Sequence, residues 1–345
     1  MNINFIMNKK YLYISISLIT IATFSIVIYY INSKEITTQE YLENGYEELY
    51  NKEEPNYNNA IKYFTKVIKL DPENSDAYYH RGYAKMRLGS SKTKSALSDF
   101  KIATKLDSTN SNGFYYAGII ELESKRYDSA IFYFTKCIKF NSEFEDKYRL
   151  RAEAYIFNKQ YNLAIVDFNS FLSESTFAPY SHHTYFKLGL CYYFIGHHNE
   201  AIEAFNNEIY YNPENLFGAI YYWRGISKQM LKDYGSSIYD FTKALELGKY
   251  DMFHQSYFDI DWDFKIELAY LSRGISKLQM FDYVSAESDL NKSIEIDKNL
   301  SLGYFYLGLS QIQLNEISLA CINLSKAGEH GVQSSYVYIK KYCNK

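Results

Sequence analysis

Aromatic and small residues recur along the chain in a fixed order. An aromatic residue is followed four positions later by a small one, the spacing of neighbours on one face of a helix. The aromatic positions are Tyr41, Tyr78, Phe114, Tyr148, Tyr185, Tyr221, Tyr270 and Tyr304, and the small positions are Gly45, Gly82, Gly118, Ala152, Gly189, Gly225, Gly274 and Gly308. The pattern predicts an amphipathic helix at each of these eight places.

A second set of small and large residues follows each of these predicted helices. The small positions are Ala60, Ala96, Ala130, Ala164, Ala201, Ser237, Ala286 and Ala320, and the large positions four residues later are Phe64, Phe100, Phe134, Phe168, Phe205, Phe241, Leu290 and Leu324. Successive small positions lie 36, 34, 34, 37, 36, 49 and 34 residues apart. A period of this length indicates a repeat built of two helices.

Glycine inside a helix costs about 1 kcal/mol relative to alanine, so a recurring glycine needs a packing reason. We expect each glycine of a first helix to lie against the alanine of the second helix, with the recurring aromatic rings filling the space toward the next repeat. Pro72 and Pro213 are expected to end second helices, because proline cannot continue a helix.

The order of aromatic, small, A-x3-F and proline on this period resembles the tetratricopeptide repeat family, over residues 38–328. Tyrosine replaces the tryptophan usual at the first aromatic position. The resemblance implies an all-α fold, a right-handed α-α superhelix of helix-turn-helix repeats. The expected repeats are 38–74, 75–110, 111–144, 145–178, 182–215, 218–248, 267–300 and 301–331, with a capping helix at 332–345.

The resemblance also implies that first helices line a concave groove that binds a protein or peptide. The groove positions follow the aromatic residue and the small residue by one. The candidates are Tyr79, Tyr83, Tyr115, Ile119, Phe186, Tyr222, Ile226 and Phe305. Family members that grip a terminal carboxylate use basic groove residues, whereas only Arg149 is basic here. An aromatic groove suits an apolar or extended segment, with packing inside the array as the alternative role for these rings.

The segment Tyr11–Ile31 has 21 residues without a charge. At 1.5 Å per residue it would reach about 31 Å, which matches the hydrocarbon core of a bilayer. Lys9 and Lys10 precede it, so residues 1–10 are predicted to be cytoplasmic and the repeats to follow a linker (32–37) outside the cytoplasm. The sequence therefore predicts an uncleaved, single-pass transmembrane helix. The alternative is a signal peptide that is cleaved, leaving a secreted protein.

Two insertions interrupt the period, at residues 173–183 and 248–264. The second is aromatic and acidic and contains Trp262, which we consider either a ligand contact or part of a lengthened helix pair. Asp259, Asp261 and Asp263 lack the glycine and glutamate of a calcium loop, so no metal site is expected there. His182-His183 and His197-His198 are interpreted as polar helix ends.

The composition is that of an ordered protein, with 47% hydrophobic and 18% aromatic residues. A net charge of −3 with intermixed signs provides no basic surface for nucleic acid. Cys137 and Cys191 are expected to be buried thiols, and Cys321 and Cys343 are either thiols or a disulfide.

No nucleotide-binding or hydrolase motif is present, so no cofactor and no catalytic activity are expected. The predicted function is that of a membrane-anchored scaffold with a protein or peptide partner. The alternatives are a structural subunit of a permanent envelope complex and a substrate-handling subunit of an enzyme assembly.

Overall fold

The computed structural model describes residues 37–50, 53–140, 143–174, 183–248 and 264–343. Within these ranges the chain forms seventeen α-helices and no β-strand. The chain divides into two compact units, Met1–Gly113 and Phe114–Lys345.

The first unit contains two helix pairs. Helices α1 (Thr38–Tyr50) and α2 (Tyr57–Leu70) form the first pair, and α3 (Ser75–Arg87) and α4 (Thr93–Leu106) the second, with a 3₁₀ turn at Ser90–Lys92 before α4. Its core is built from residues of both pairs, among them Leu49, Phe64 and Ala84. Helix α5 (Ser111–Glu123) begins at the end of this unit.

The second unit continues with the same alternation of helices. They are α6 (Tyr127–Lys139), α7 (Lys147–Phe157), α8 (Tyr161–Glu174), α9 (Thr184–Phe194), α10 (His198–Tyr211), α11 (Gly218–Met230), α12 (Tyr234–Leu247), α13 (Ile266–Gln279), α14 (Tyr283–Ile296), α15 (Ser301–Gln313), α16 (Ile317–Glu329) and α17 (Ser335–Tyr342). Odd-numbered helices up to α15 are the first helices of pairs, and even-numbered helices are the second. Pro72 and Pro213 follow the ends of α2 and α10, as predicted.

The recurring glycines make room for the recurring phenylalanine rings. A Cβ atom on Gly189 would lie 2.6 Å from the Phe205 ring, and one on Gly118 would lie 2.8 Å from the Phe134 ring. These rings are fully buried. The expected approach of glycine to the alanine of the second helix occurs at Gly82, Gly274 and Gly308, where an added Cβ would lie 3.2–3.3 Å from the alanine carbonyl oxygen, but the nearest neighbour is the large side chain four residues beyond that alanine.

Several first helices end in one residue with left-handed backbone geometry. Lys125, with φ of 59°, lies between α5 and α6, and the N–H of Arg126 then donates to the carbonyl of Glu121 at 2.9 Å. This bond satisfies a carbonyl group that the helix end would leave unpaired. The same turn recurs at Lys159, Gly196, Lys232, Phe281 and Asn315.

Four helix pairs contain a partly buried arginine that bonds to two helices, which we call the arginine clamp. Arg81 donates from Nε and Nη2 to both carboxylate oxygens of Asp99 at 2.9 and 2.7 Å, and from Nη1 to Thr65 Oγ1 of the preceding pair at 3.3 Å. The other clamps are Arg151 with Asp167 and Thr135, Arg224 with Asp240 and Asn206, and Arg273 with Asp289 and Thr242. Each arginine thus joins its own second helix to the second helix of the preceding pair.

A tyrosine ring also packs on each clamp. The guanidinium carbon lies 5.1–6.0 Å from the centroid of the tyrosine three residues earlier, at Tyr78, Tyr148, Tyr221 and Tyr270. Arginine stacks favourably on aromatic faces. The threonine that follows phenylalanine in KRYDSAIFYFTKCIKFN and KDYGSSIYDFTKALELG is thereby explained, because Thr135 and Thr242 accept hydrogen bonds from clamp arginines.

A lysine one turn after the arginine completes three of the four clamps. Lys85, Lys228 and Lys277 bind Asp99, Asp240 and Asp289 at 2.7, 2.8 and 2.8 Å. In the fourth clamp Tyr155 stands at the lysine position. Burial raises the pKa of the Asp167 carboxyl, an effect that its hydrogen bond and ion pair with Arg151 oppose.

The C-terminal helix α17 packs on α16 and is joined to it by a disulfide between Cys321 and Cys343. This resolves the alternative that the sequence left open for these two cysteines. Cys137 and Cys191 are buried free thiols, as expected. Burial raises the pKa of the Cys191 thiol, which keeps it protonated and unreactive.

Candidate functional site

We call the surface that the first helices form on each unit its first-helix face. The predicted groove residues on these faces divide into two groups. Residues that follow the aromatic position are buried, with no more than 9% of the side chain exposed, at Tyr79, Tyr115, Phe186, Tyr222 and Phe305. The first four lie 5.9–6.3 Å, centroid to centroid, from the recurring phenylalanine of their own repeat. Their rings therefore contribute to the core.

The residues that follow the small position are more accessible. Tyr83, Ile119 and Ile226 are half-buried. Tyr83 stacks on Tyr50 of the preceding first helix at 6.2 Å, and the Tyr50 ring is 50% exposed. These positions offer more contact area to a ligand than Tyr79 or Tyr222 do.

A cavity of about 400 Å³ opens on the first unit. It is lined by Tyr50, Asp76, Tyr79, His80, Thr109, Asn110, Ser111 and Asn112. The lining comes from α1, from α3 and from the turn that enters α5. Because the side chains are polar and aromatic, the cavity, hereafter the unit-one pocket, can take a ligand group that forms hydrogen bonds.

A chain of hydrogen bonds fixes the side chains of this pocket. The Tyr46 hydroxyl donates to Asp76 Oδ2, and His80 Nε2 lies 3.2 Å from Asp76 Oδ1. With Nε2 donating to the carboxylate, His80 Nδ1 accepts from the Tyr50 hydroxyl at 3.0 Å. The Tyr79 ring meets the imidazole edge-on at 4.6 Å, so the histidine is held from both sides.

These bonds determine the charge of Asp76. Burial by itself opposes ionisation, but the hydrogen bonds from His80 and Tyr46 outweigh it and hold the pKa of Asp76 below its usual value. Burial and the neighbouring Asp76 raise the pKa of Tyr46. The pocket therefore presents a negative carboxylate beside neutral tyrosines at neutral pH.

The first-helix face of the second unit carries a buried ionic network instead. Asp146 accepts hydrogen bonds from the Tyr115 hydroxyl and from Arg149 Nη2, both at 2.7 Å. Glu153 accepts from Arg149 Nη1 at 3.0 Å and from Lys187 Nζ at 2.5 Å. Arg149, the basic groove residue, is 6% exposed and bonded on two sides, so this unit supplies its own cations.

Electrostatics within this network keep Glu153 ionised. Burial raises its pKa, but the charges of Lys187 and Arg149 outweigh burial and lower the pKa below its usual value. Tyr115 responds in the opposite direction, because burial and the Asp146 charge both raise its pKa. In Tyr222, burial raises the pKa to about 12.

Of the residues that line the unit-one pocket, the sequence predicted Tyr79 alone; it missed Tyr50, Asp76, His80 and residues 109–112, together with Tyr46, which bonds to Asp76. For two pairs a signal was present, because Tyr46 and Tyr50, like Asp76 and His80, are spaced by four residues and share one face of their helix. It also missed Trp223, which packs against Tyr193 and Phe194 at 5.1 and 5.9 Å.

Comparison with known protein families identifies the helix pairs. A family described as TPR repeat matches residues 53–89. A second family, described as tetratricopeptide repeat, matches residues 115–144 and 182–215. The chain contains tetratricopeptide repeats. No curated protein matches it in sequence.

Two solved structures resemble the chain in fold. The C-terminal part of a TPR repeat-containing protein from Cytophaga hutchinsonii aligns with a TM-score of 0.50 and 17% identity, over 79% of this chain and 99% of that chain. Naa15/Naa10 bound to HypK-THB aligns with a TM-score of 0.51 and 13% identity, over 89% of this chain and 43% of that chain. The fold is accordingly an all-α helical-repeat solenoid.

A third structure is YrrB, described as a TPR protein with an unusual peptide-binding site. It aligns with a TM-score of 0.49 and 20% identity, over 55% of this chain and 94% of that chain.

Several predictions for this tetratricopeptide repeat chain concern residues outside the described ranges. They are the membrane helix at 11–31, Trp262 with most of the second insertion, and His182. His183 precedes α9 and bonds to the buried Glu208 at 2.8 Å. Among the helices that are described, none combines the length and apolarity that crossing a membrane requires.

Proposed function

We propose that the chain is a membrane-anchored tetratricopeptide repeat scaffold that binds a segment of a partner protein on its first-helix faces and has no catalytic activity of its own. The observation that carries the proposal is the unit-one pocket, where the exposed Tyr50 ring, on which Tyr83 stacks, lies beside Asp76 and His80. Accessible tyrosines suit binding because they offer a large contact area with few rotatable bonds.

The proposed anchor is the apolar segment 11–31, and the proposed location of the repeats is outside the cytoplasm. Lys9 and Lys10 support that orientation. The disulfide between Cys321 and Cys343 also supports it, because disulfides persist mainly in oxidising compartments.

The binding test is co-purification of partners from a mild-detergent extract with full-length variants. Tyr50→Ala and Tyr83→Ala are expected to lose the partner while keeping the helical signal and melting temperature. Losing about 2 kcal/mol at one anchor weakens a ligand about thirtyfold. The matched control is Tyr210→Ala, because Tyr210 is 74% exposed but lies on a second helix, α10.

Each outcome has a defined meaning. Equal loss of partner in Tyr210→Ala would refute binding at the first-helix face. Normal binding in the groove variants with loss after deletion of 249–263 would place recognition in the second insertion. Stoichiometric co-purification that resists high salt would favour the permanent envelope complex.

The orientation is tested by adding protease to spheroplasts. Residues 38–345 are expected to be digested while a cytoplasmic marker stays intact. Full protection of the repeats, with digestion of a known exposed protein in the same sample, would contradict the proposed orientation.

A further inference from the structure

The unit-one pocket has one sign of charge. Among the described residues that line it, Asp76 is the one formal charge, and none is lysine or arginine. Two cations on the same helix, Arg81 and Lys85, both bind Asp99 at 2.7 Å and are not part of the lining. A ligand group in this pocket therefore meets the Asp76 carboxylate, and the lining supplies no lysine or arginine to neutralise it.

The second unit shows what satisfies an aspartate at this position of the repeat. Asp146 is the equivalent of Asp76, since each lies two residues before the aromatic position, and each accepts a tyrosine hydroxyl from the preceding repeat. Three residues after Asp146 the chain supplies Arg149, whose guanidinium binds the carboxylate at 2.7 Å. Three residues after Asp76 stands Tyr79, and the space is an open cavity.

An anion is the other ligand class that the beginning of helix α5 would suggest. The N–H of Gly113, however, already donates to Asn110 Oδ1 at 2.7 Å. The Thr109 N–H is likewise bonded to Asp107 Oδ1 at 2.9 Å. Asp76, at the same cavity, would repel an anion, so the charges favour a cation.

We infer that the unit-one pocket binds the cationic side chain of a lysine or arginine in the partner segment. The ammonium or guanidinium group donates to the Asp76 carboxylate, which keeps acceptor capacity after its bonds to Tyr46 and His80, since a carboxylate has about four lone-pair sites. The Tyr50 ring, which is 50% exposed, lines the same space and attracts the cation through its face. The inference rests on the proposed function, because it names the chemistry that the first-helix face recognises.

The test uses full-length protein in detergent micelles and saturation-transfer NMR with four blocked tripeptides. They share the form acetyl-Gly-X-Gly-amide, with lysine, arginine, norleucine or glutamate as X. The lysine and arginine peptides are expected to receive saturation at the methylene groups next to their charge. The peptides with uncharged norleucine or anionic glutamate are expected to receive none. Raising the salt concentration is expected to weaken the signal, because Asp76 is partly exposed.

Two variants test the residues. Asp76→Asn keeps the shape but removes the charge, and is expected to weaken lysine binding at least about tenfold. Tyr79→Arg places a guanidinium three residues after the aspartate, as in the fourth repeat, and is expected to abolish lysine binding. Asp146→Asn is the matched control and is expected to leave it unchanged. Melting temperatures confirm that each variant is folded.

Equal binding of norleucine and lysine would overturn the inference, as would unchanged lysine binding in folded Asp76→Asn. Failure of all four peptides to bind would also overturn it. In each case partner capture by Tyr50 and Tyr83, measured separately, still decides whether the first-helix face binds protein.

Discussion

Removing the aspartate of one arginine clamp should weaken the second unit locally. Asp240 has a fully buried carboxylate that accepts from Arg224 Nε at 2.9 Å, from Arg224 Nη2 at 2.6 Å and from Lys228 Nζ at 2.8 Å. Asp240→Ala would leave two cations in this space without their anion. Arg224 also bonds to Asn206 of the preceding repeat at 2.7 Å, so the change should affect two neighbouring helix pairs.

The expected size follows from burial. Removing one partner of a buried ion pair costs about 3–5 kcal/mol. The side chains of Arg224 and Lys228 are 12% and 17% exposed, so both can turn partly toward water, and we expect the lower end, about 3 kcal/mol. Where amide exchange is governed by local opening, a loss of about 3 kcal/mol makes exchange roughly a hundredfold faster.

Hydrogen exchange is the appropriate assay, because repeat arrays do not unfold in two states. Amides of α11 and α12 should exchange roughly a hundredfold faster in Asp240→Ala. The control is Glu246→Ala in the same helix, which removes an exposed partner of Lys243 and should change little. Arg224→Met, Lys228→Met and Asp240→Leu together should recover most of the protection, since apolar side chains can replace a buried ionic cluster when all its members are exchanged. Equal exchange in Asp240→Ala and Glu246→Ala would refute the stabilising role of the clamp.

Three further predictions concern the second unit. Ala164→Leu, at a fully buried position of α8, should cost about 1–3 kcal/mol by overpacking, whereas Val166→Leu, at a residue 60% exposed in the same helix, should leave the melting temperature unchanged. Because the pKa of Glu153 is lowered in the folded protein, the stability that Glu153 contributes is present above its ordinary pKa of about 4.5 and is lost as pH falls through its folded value. The free energies of unfolding of wild type and Glu153→Gln, measured by denaturation, should therefore differ near pH 7 and converge in acid. A difference that does not depend on pH would contradict this. Cys321→Ser should release α17 and speed hydrogen exchange there but not in α11, and unchanged protection of α17 would show that packing alone holds it.

The periodic spacing in the sequence predicted the helix pairs well. Tyr78 with Gly82, and Ala96 with Phe100, determine which face of each helix is buried, because residues four apart share a face. It did not predict what the glycine touches. A Cβ atom added to Gly82 would lie 2.9 Å from the Phe100 ring, and that contact depends on the reach of a long side chain.

The candidate site was predicted less completely. Tyr79 was expected to line a ligand groove, and it does border the unit-one pocket, but only 8% of the residue is exposed because it packs against Phe100 in the second helix of its own repeat. Asp76 and Tyr46 are 30 residues apart, and their contact depends on how neighbouring repeats are offset, which no single helix pattern specifies.

The arginine clamp restricts the order in which these repeats can be arranged. An arginine-bearing repeat needs a predecessor with a hydrogen-bond acceptor directly after its recurring phenylalanine, as Thr135 is for Arg151. The second repeat has Lys101 at that position. Loss of the third repeat by recombination would bring Lys101 opposite Arg151 and replace a hydrogen bond by repulsion between two cations. The repeats are therefore not freely interchangeable, and duplication or deletion preserves a clamp only where the repeat before the arginine has a hydrogen-bond acceptor, such as Thr135 or Asn206, directly after its phenylalanine.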